Sequence, residues 1–351
     1  MRFRLAQAHG PVYNVRMPRI PRRTFPCPAG LYLVFLLLAG PAIGSADAQV
    51  TAMKVLLHRT YTYKTVQNLE IQAEVSRADD ALERPVLVWI HGGAMMKGDR
   101  FNQWEKPFPR MMLEAGYIIV SIDYRLAPET KLPGIIADVA DACAWVRAEG
   151  PRLFGARTDR LAVAGGSAGG YLTLAAGHHV TPPPTVLASF SGYCDLVGPW
   201  ATGPSIDPEH RESGLGPEEM TAFKPGPAVS NKYERTYDIT PVYNTWRQRG
   251  EWPFALTGWD PVSERDNYLP YLNDRGVTPD YPPTIMVHGT RDLDVDYHQE
   301  IQMAEALEAE GVSHQLILLE GANHNLGGID PGKTENALRK AMAFVRFHME
   351  E

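Results

Sequence analysis

One segment of the sequence joins an apolar run to a glycine-rich turn and then to a helical pattern. The run Leu161–Ala164 leads directly into Gly165-Gly166-Ser167-Ala168-Gly169-Gly170. A strand that passes sharply into a helix needs small residues at the turn, because side chains would collide there. The turn lacks the Lys-Ser/Thr ending of a phosphate-binding loop, which disfavours that alternative. The segment therefore predicts a strand–turn–helix unit that exposes the hydroxyl of Ser167.

The same alternation of apolar runs and helical patterns extends over most of the chain. The runs are apolar nearly throughout, as expected for strands covered on both faces. Their alternation with helices predicts an α/β fold with a mainly parallel, doubly wound sheet. The earlier segment Lys54–Val75 predicts one or two leading strands, as an antiparallel hairpin at the sheet edge. The predicted strands are Val86–Ile90, Tyr117–Ile122, Leu161–Ala164, Val186–Phe190, Thr284–Val287 and Gln315–Leu319, and the predicted helices are Ile135–Ala148, Ala168–Ala176, His298–Glu310 and Glu335–His348.

The region 195–283 interrupts this alternation. It is rich in proline and glycine and has no long helical period. A structureless loop of that length is uncommon in a compact domain, so we predict an inserted lid or cap over the C-terminal edge of the sheet. Its aromatic side chains either form the core of the lid or line a substrate pocket. Four of the seven tryptophans lie in it: Trp200, Trp246, Trp252 and Trp259.

A second glycine-containing run, His91-Gly92-Gly93-Ala94, follows the first predicted parallel strand. If Ser167 attacks a carbonyl group, backbone N–H groups are needed to bind the oxyanion that forms. Small residues let the main chain approach the reacting carbon. The N–H groups of Gly93, Ala94 and Ala168 are the candidate donors, and His91 is interpreted as a structural hydrogen-bonding residue.

Three motifs in this order carry a resemblance to a known family. They are the run 91–94, the run Asp123-Tyr124-Arg125-Leu126-Ala127-Pro128-Glu129, and the run 165–170. With them, the chain from about Pro85 onward resembles the hormone-sensitive-lipase-like branch of the α/β-hydrolases, of the carboxylesterase and arylacetamide-deacetylase type. The resemblance implies the α/β-hydrolase fold, with Ser167 as nucleophile. Ala94 replaces the third glycine of the family's run, and the region 195–283 does not match the family's usual cap.

A serine nucleophile requires a histidine base and a carboxylate that orients it. In the α/β-hydrolase fold these follow the serine in the order acid, then base. In similar enzymes the acid is the aspartate of a His-Gly-Thr-x-Asp turn, which implies Asp292, with Asp294 as the alternative. His324 lies in a glycine-flanked loop after the last predicted strand and is the predicted base. His288, at the end of its strand, is interpreted as a packing residue.

These features predict a serine esterase that cleaves short or medium acyl esters, or aryl esters, through an acyl-enzyme on Ser167. The same triad serves amide hydrolysis in the similar formamidases and prolyl-oligopeptidase-type peptidases, so an amide substrate is the alternative. A ligand-binding protein on this fold is a third possibility, although relatives of that kind tend to lose a triad member. The predicted partner is a small-molecule ester, and we predict no cofactor and no metal.

The first 48 residues have a different composition from the rest of the chain. They hold six of the 34 basic residues, all arginine, and one of the 41 acidic residues. Within this segment, the apolar run Leu31–Ala39 follows the arginines, and Ala46-Asp47-Ala48 stands at the end. This layout is typical of a secretory signal peptide and predicts export to the periplasm or the medium, with a hydrolase domain over 49–351. Met17 is an alternative start, and Arg22-Arg23 leaves the twin-arginine route open beside the general one.

The remaining residues predict an ordinary globular protein. The chain is 44% hydrophobic and 21% charged, and 28 basic residues face 40 acidic ones after residue 48. This acidic excess argues against a nucleic-acid partner, and the apolar run before Gly40 is too short to span a bilayer. Cleavage after Ala48 leaves Cys143 and Cys194, which we predict to be unpaired.

Overall fold

The computed structural model describes residues 56–211 and 214–350. The predicted signal peptide lies outside these residues, so export remains a prediction. The described chain forms an eight-stranded sheet of order β1-β2-β4-β3-β5-β6-β7-β8, in which β3 to β8 are parallel. The strands are β1 Leu56–Val66, β2 Leu69–Ala78, β3 Arg84–Ile90, β4 Ile118–Ile122, β5 Ala156–Gly166, β6 Val186–Phe190, β7 Thr284–Gly289 and β8 His314–Leu319.

Helices cover both faces of the sheet, which confirms the predicted doubly wound architecture. Successive side chains of a strand point to opposite faces. In β3, accordingly, Val86, Val88 and Ile90 pack into the core on one face of the sheet, whereas Leu87 and Trp89 pack into a second core on the other face. The helices are α1 Pro107–Glu114, α2 Leu132–Phe154, α3 Ala168–His179, α4 Pro199–Thr202, α5 Pro217–Ala222, α6 Thr240–Arg249, α7 Trp252–Thr257, α8 His298–Ala309 and α9 Pro331–Glu350.

The element boundaries differ from the predicted ones where tertiary contacts outweigh the local pattern. The predicted leading hairpin is present, with β1 antiparallel to β2 and β2 antiparallel to β4. Strand β5 begins at Ala156 rather than Leu161, because its first residues pair with Arg84 and Pro85 before the register shifts. Helix α2 continues through Pro151 to Phe154, beyond the predicted end at Ala148.

The region 195–283 consists of short helices, α4 to α7, joined by turns and 3₁₀ segments. Its aromatic residues extend the larger hydrophobic core of the domain. The ring of Trp252 lies 5.7 Å from Trp200 and 5.6 Å from Tyr193, and the guanidinium of Arg247 lies over both tryptophans at 5.0 and 5.3 Å. Such cation–aromatic contacts stabilise buried rings. These tryptophans therefore serve the packing of the region.

Two further predictions concern cysteines and membrane spans. Cys143 and Cys194 are both buried and free, as predicted. Within the part of the chain that the structure describes, no helix combines the length and apolar character needed to cross a membrane.

A buried ion pair ties this region to the body of the domain. Glu129, from the run 123–129, accepts two hydrogen bonds from Arg235, at 2.9 and 2.7 Å, and one from Tyr237 at 2.5 Å. The side chains of Glu129 and Arg235 are only 1% and 2% exposed. Removal of one partner from such a pair leaves an uncompensated buried charge.

We therefore predict that Arg235→Ala lowers the free energy of unfolding by about 3–5 kcal/mol. Urea denaturation followed by circular dichroism measures this change. The matched control is Arg339→Ala, which breaks an ion pair with Glu335 whose side chains are 62% and 57% exposed. Exposed pairs contribute little, so the control variant keeps nearly all of the stability. Equal losses in the two variants would contradict the prediction.

Candidate active site

Ser167 lies at the turn between β5 and α3 in a strained backbone conformation. Its φ of 57° and ψ of −122° are rare for a residue with a side chain. The turn requires glycine at the neighbouring positions, because their surroundings leave no room for a side chain. A Cβ atom at Gly169 would lie 2.0 Å from the carbonyl oxygen of Ile90, and one at Gly165 would lie 2.7 Å from the same oxygen. The sequence prediction of a strand–turn–helix unit is thus realised here.

The Ser167 turn opens into a cavity of about 560 Å³ at the C-terminal ends of the parallel strands. Its lining includes Ser167, His324, Gly93 and Ala94, which follow the ends of three different strands, β5, β8 and β3. In an open parallel sheet, ligands bind at this edge. The fold therefore brings the candidate residues of the sequence analysis to one place.

His324 and Asp292 form a hydrogen bond inside this site. The Nδ1 atom of His324 donates to Oδ2 of Asp292 at 2.6 Å. The other carboxylate oxygen of Asp292 accepts from the backbone N–H groups of Asp294 and Val295, each at 2.9 Å. The loop of His324 is held by Ser191, whose hydroxyl donates to the carbonyl oxygen of His324 at 2.7 Å. The imidazole is therefore fixed with its Nε2 atom free of Asp292.

The Nε2 atom of His324 faces a second carboxylate. This atom lies 3.6 Å from Oδ2 of Asp294. Within the described part of the chain, it forms no hydrogen bond with Ser167. The two aspartates that the sequence offers as candidate acids thus contact different nitrogens of one imidazole. Only Asp292 makes a hydrogen bond to Nδ1, the geometry that orients the ring of a general base. Asp296 is turned away and accepts from the exposed His298 at 2.7 Å.

The surroundings shift the pKa values of both partners toward their charged forms. Burial by itself raises the pKa of Asp292, but hydrogen bonds from His288 and His324 outweigh burial and hold this pKa well below its ordinary value. Burial lowers the pKa of His324, and the hydrogen bond to Asp292 with the nearby charge of Asp294 outweighs it, so the pKa is raised. Asp292 is therefore an ionised acceptor, and His324 is a stronger base than an isolated histidine.

The candidate oxyanion donors lie around the same turn. The backbone of Gly93 and Ala94 adopts positive φ values of 106° and 56°. Their N–H groups have no acceptor among the described residues. Ala168 is fully buried behind Ser167, and its N–H is at the first position of α3, where a helix offers no internal acceptor. Three N–H groups are therefore free to bind an anion beside Ser167.

His91 stabilises this loop through its own contacts. Its ring stacks on Tyr124 with centroids 4.3 Å apart, and the Tyr124 hydroxyl donates to the carbonyl oxygen of His91 at 3.0 Å. Burial lowers the pKa of His91 to about 4, so the ring is neutral at physiological pH. These contacts agree with a structural role.

The cavity has two chemically different walls. An aromatic wall consists of Trp89, Phe108 and Phe190, whose ring centroids lie 4.7 to 6.5 Å apart. A polar wall consists mainly of side chains from the region 195–283, together with a lysine and an aspartate from the strand ends. We name as the polar wall Lys97, Asp207, Glu209, His210, Asn244 and Asp294.

The polar wall contains a group of residues that could hold a metal ion. The potential ligand atoms of Asp207, His210 and Asp294 lie within 4.8 Å of one another. The Nδ1 atom of His210 is engaged with the Ser205 hydroxyl at 2.7 Å, and its Nε2 atom lies 3.6 Å from Oδ1 of Asp294. Asp294 is thus already placed between two imidazoles. The expectation of no metal thus stays a prediction from the sequence.

His288 is a residue whose position the sequence analysis did not foresee. It is fully buried, as expected of a packing residue, but its Nε2 atom also lies 2.9 Å from Oδ2 of Asp292, the oxygen that binds His324. Its Nδ1 atom lies 3.4 Å from Oε2 of Glu300 on α8. The only signal in the sequence is the position of His288 four residues before Asp292. The approach of Glu300 depends on the docking of α8.

Comparison with known proteins identifies the class of protein to which this fold belongs. A sequence model of the alpha/beta hydrolase fold family matches residues 87–327, which is more than half of the chain. The chain therefore belongs to this family, as the sequence motifs indicated.

Individual relatives extend the comparison. The chain is 28% identical over 332 residues to the non-reducing polyketide synthase ausA of Aspergillus calidoustus, in an alignment that covers 76% of this chain and 13% of the synthase. It is 29% identical over 255 residues to the esterase LipC of Mycobacterium tuberculosis, which covers 71% of this chain and 55% of LipC. The chain thus spans only a small part of the synthase and about half of LipC.

A solved structure supports the fold. A protein with unknown function from Staphylococcus aureus subsp. aureus Mu50 superposes with a TM-score of 0.63 at 18% identity, over 82% of this chain and 98% of that one. At this identity the likeness concerns the fold alone.

The contact between His324 and Asp294 leads to a prediction on pH dependence. The acidic limb of kcat/KM for a substrate of this site reports the pKa of the free base. Asp294→Asn removes a negative charge 3.6 Å from Nε2, which destabilises the imidazolium. We predict that the limb moves to lower pH in this variant, as measured by initial rates across pH 5 to 9.

The control for this measurement is Asp296→Asn. Asp296 is 44% exposed and contacts His298 instead of His324, so its removal leaves the limb in place. A limb that stays unchanged or rises in Asp294→Asn would show that Asp294 does not act on His324.

Proposed function

We propose that this protein is a carboxylic ester hydrolase that forms an acyl-enzyme on Ser167. The observation that carries the proposal is the convergence, in one cavity, of a strained serine turn, a carboxylate-bound imidazole and unpaired backbone N–H groups. These are the three components that acyl transfer requires. The similarity to the esterase LipC supports the same chemistry.

In the proposed reaction, Oγ of Ser167 attacks the ester carbonyl carbon while its proton passes to Nε2 of His324. The carbonyl oxygen becomes an oxyanion, which the N–H groups of Gly93, Ala94 and Ala168 bind. The tetrahedral intermediate then expels the alcohol, which leaves with the proton from His324. Water repeats the sequence on the acyl-enzyme, releasing the acid and restoring Ser167. Asp292 holds the imidazole in the correct tautomer throughout.

The walls of the cavity suggest the kind of ester that fits. One part of the substrate meets the aromatic wall, where burial of apolar surface is favourable. The other part meets the polar wall, where carboxylates, an amide, an imidazole and an ammonium group offer hydrogen bonds to hydroxyl or other polar groups. We therefore propose a substrate that joins a compact apolar group to a polar group.

An amide substrate remains the second candidate, because the triad chemistry is the same. A p-nitroanilide of the same acyl group, assayed beside the p-nitrophenyl ester, separates the two. A binding role would leave both substrates intact.

The central prediction is that the protein releases p-nitrophenol from acetate, butyrate and octanoate esters, and that Ser167→Ala lowers kcat by at least about 10³-fold. The loss follows because no neighbouring group replaces the attacking oxygen. Ser263→Ala, a change outside the cavity lining, is the control and retains parental rates. Equal rates in the parent and Ser167→Ala would eliminate Ser167 as the nucleophile.

A further prediction concerns the polar wall. The ammonium group of Lys97 lies 4.7 Å from the ring centroid of Tyr243. Burial lowers the pKa of Lys97, the nearby Asp294 charge opposing this shift. We predict that Lys97→Met lowers kcat/KM for a glycerol ester about tenfold, since one hydrogen bond to a charged group contributes about 1.5–3 kcal/mol. The kcat/KM for the p-nitrophenyl ester of the same acid falls much less, because that ester offers no hydroxyl to Lys97.

Hydrolysis of monobutyrin and p-nitrophenyl butyrate measures this difference. Lys333→Met, a change in the first turn of α9, is the control. A uniform loss on both esters in Lys97→Met would mean that the polar wall does not recognise the alcohol.

A further inference from the structure

The Asp292 carboxylate is shared between two imidazoles. Its Oδ2 atom accepts from Nδ1 of His324 at 2.6 Å and from Nε2 of His288 at 2.9 Å. Its Oδ1 atom accepts from two backbone N–H groups. The pKa of Asp292 is held well below its ordinary value, so its carboxylate is ionised and only accepts, and each imidazole nitrogen that bonds to it bears hydrogen.

The other nitrogen of His288 faces a second buried carboxylate. Nδ1 lies 3.4 Å from Oε2 of Glu300, and both side chains have no exposed surface. Neither of these two atoms meets the geometry of a hydrogen bond with any described residue, so two buried polar atoms face each other with only this ionic contact. A neutral imidazole carries one N–H, and its second nitrogen is an acceptor. His288 therefore presents an acceptor to a carboxylate unless a proton lies between them.

The contacts of Glu300 indicate where that proton resides. Its Oε1 atom accepts from the Ser189 hydroxyl at 2.7 Å and from the backbone N–H of Gly192 at 3.0 Å. Hydrogen bonds donated to a carboxyl group favour its ionised form. Since both donors are directed at Glu300, we assign the proton between the two side chains to the imidazole.

We propose that His288 is a positioning residue for catalysis, an imidazolium held between the Asp292 and Glu300 carboxylates that keeps Asp292 ionised and directed at His324. This inference rests on the proposed roles of Ser167, Asp292 and His324. The four side chains Glu300, His288, Asp292 and His324 form what we call the histidine–carboxylate chain.

The charges of this chain balance when the base is protonated. Before attack, two carboxylates face one imidazolium, His288. When the Ser167 proton reaches His324, a second imidazolium forms and the four charges sum to zero. Glu300 thus offsets the charge of His288, which would otherwise weaken the attraction of Asp292 for the new cation. Low-dielectric surroundings strengthen each of these interactions.

Without His288, two buried carboxylates would face each other with no cation between them. Like charges in one site raise the pKa of one member, which then takes up a proton. Protonation of Asp292 would remove the acceptor that fixes the tautomer of His324. Burial lowers the pKa of His288, but the carboxylates of Asp292 and Glu300 raise it to about 9, in agreement with the geometric argument.

Site-directed variants test the proposal on the full chain. We expect His288→Gln to lower kcat for p-nitrophenyl butyrate about 10–100-fold, which is the usual effect of removing a residue that orients a functional side chain. KM stays nearly unchanged, because His288 does not line the cavity. His298→Gln, at a 64% exposed histidine, is the matched control and keeps parental rates.

The double variant distinguishes charge balance from simple packing. His288→Gln/Glu300→Gln removes the surplus negative charge, so we expect it to recover at least several-fold of the kcat lost in His288→Gln. If His288 only fills space, the losses add and the double variant is the slowest. That result, or a parental kcat in His288→Gln while Ser167→Ala is inactive, would overturn the proposal. If every variant keeps ester hydrolysis, Ser167→Ala included, the proposed function itself is overturned.

A spectroscopic measurement tests the proposal even if a variant fails to fold. Nitrogen-15 NMR of the histidine-labelled parent at pH 8 reports the protonation of each ring nitrogen. We expect one imidazole, assigned to His288 by through-bond correlation, to carry hydrogen on both nitrogens. A His288 ring protonated on one nitrogen only, with the proton on Glu300, would overturn the proposal independently of activity.

Discussion

The candidate site depends on how closely the backbone of the Ser167 turn packs against the end of β3. A Cβ atom at Gly169 would lie 2.0 Å from the carbonyl oxygen of Ile90, and one at Gly92 would lie 2.9 Å from the carbonyl oxygen of Gly166. Backbone therefore meets backbone where β3 and β5 end. This contact places Gly93, Ala94 and Ser167 in the lining of one cavity, and a side chain at Gly92 or Gly169 would push the two strand ends apart.

Buried charge imposes the second constraint, and the protein meets it by pairing residues that are distant in sequence. Arg100 contacts Asp123, Arg235 contacts Glu129, and Glu300 contacts His288. Because an unpaired buried charge is costly, each pair fixes the relative position of two segments. The run 123–129 thus has a structural explanation. Its two acidic ends anchor the loop after β3 and the region 195–283.

The parts of the molecule that were predictable from sequence are those that local pattern determines. The apolar runs fixed the parallel strands β3 to β8 because strands covered on both faces must be apolar. The glycines of 165–170 predicted the turn at Ser167. The helices α4 to α7 were not predictable, because segments of four to ten residues carry little periodic signal. The course of α2 through Pro151 was not predictable either, because tertiary packing holds a helix-breaking residue there. His288 is buried as expected, but its contact with Glu300 was not predictable, since Glu300 lies on a helix that begins ten residues later.

The two aspartates around His324 differ in burial, and this difference assigns them different tasks. Asp292 has no exposed side-chain surface and holds Nδ1 at 2.6 Å, so its attraction is little screened and its hydrogen bond persists. Asp294 is 26% exposed and lies 3.6 Å from Nε2, so water weakens its attraction and Ser167 can displace it. Asp294 also lies 3.6 Å from His210 in the region 195–283. Asp294 therefore lies between the imidazole of the site and the imidazole of the polar wall, and its single charge is divided between them.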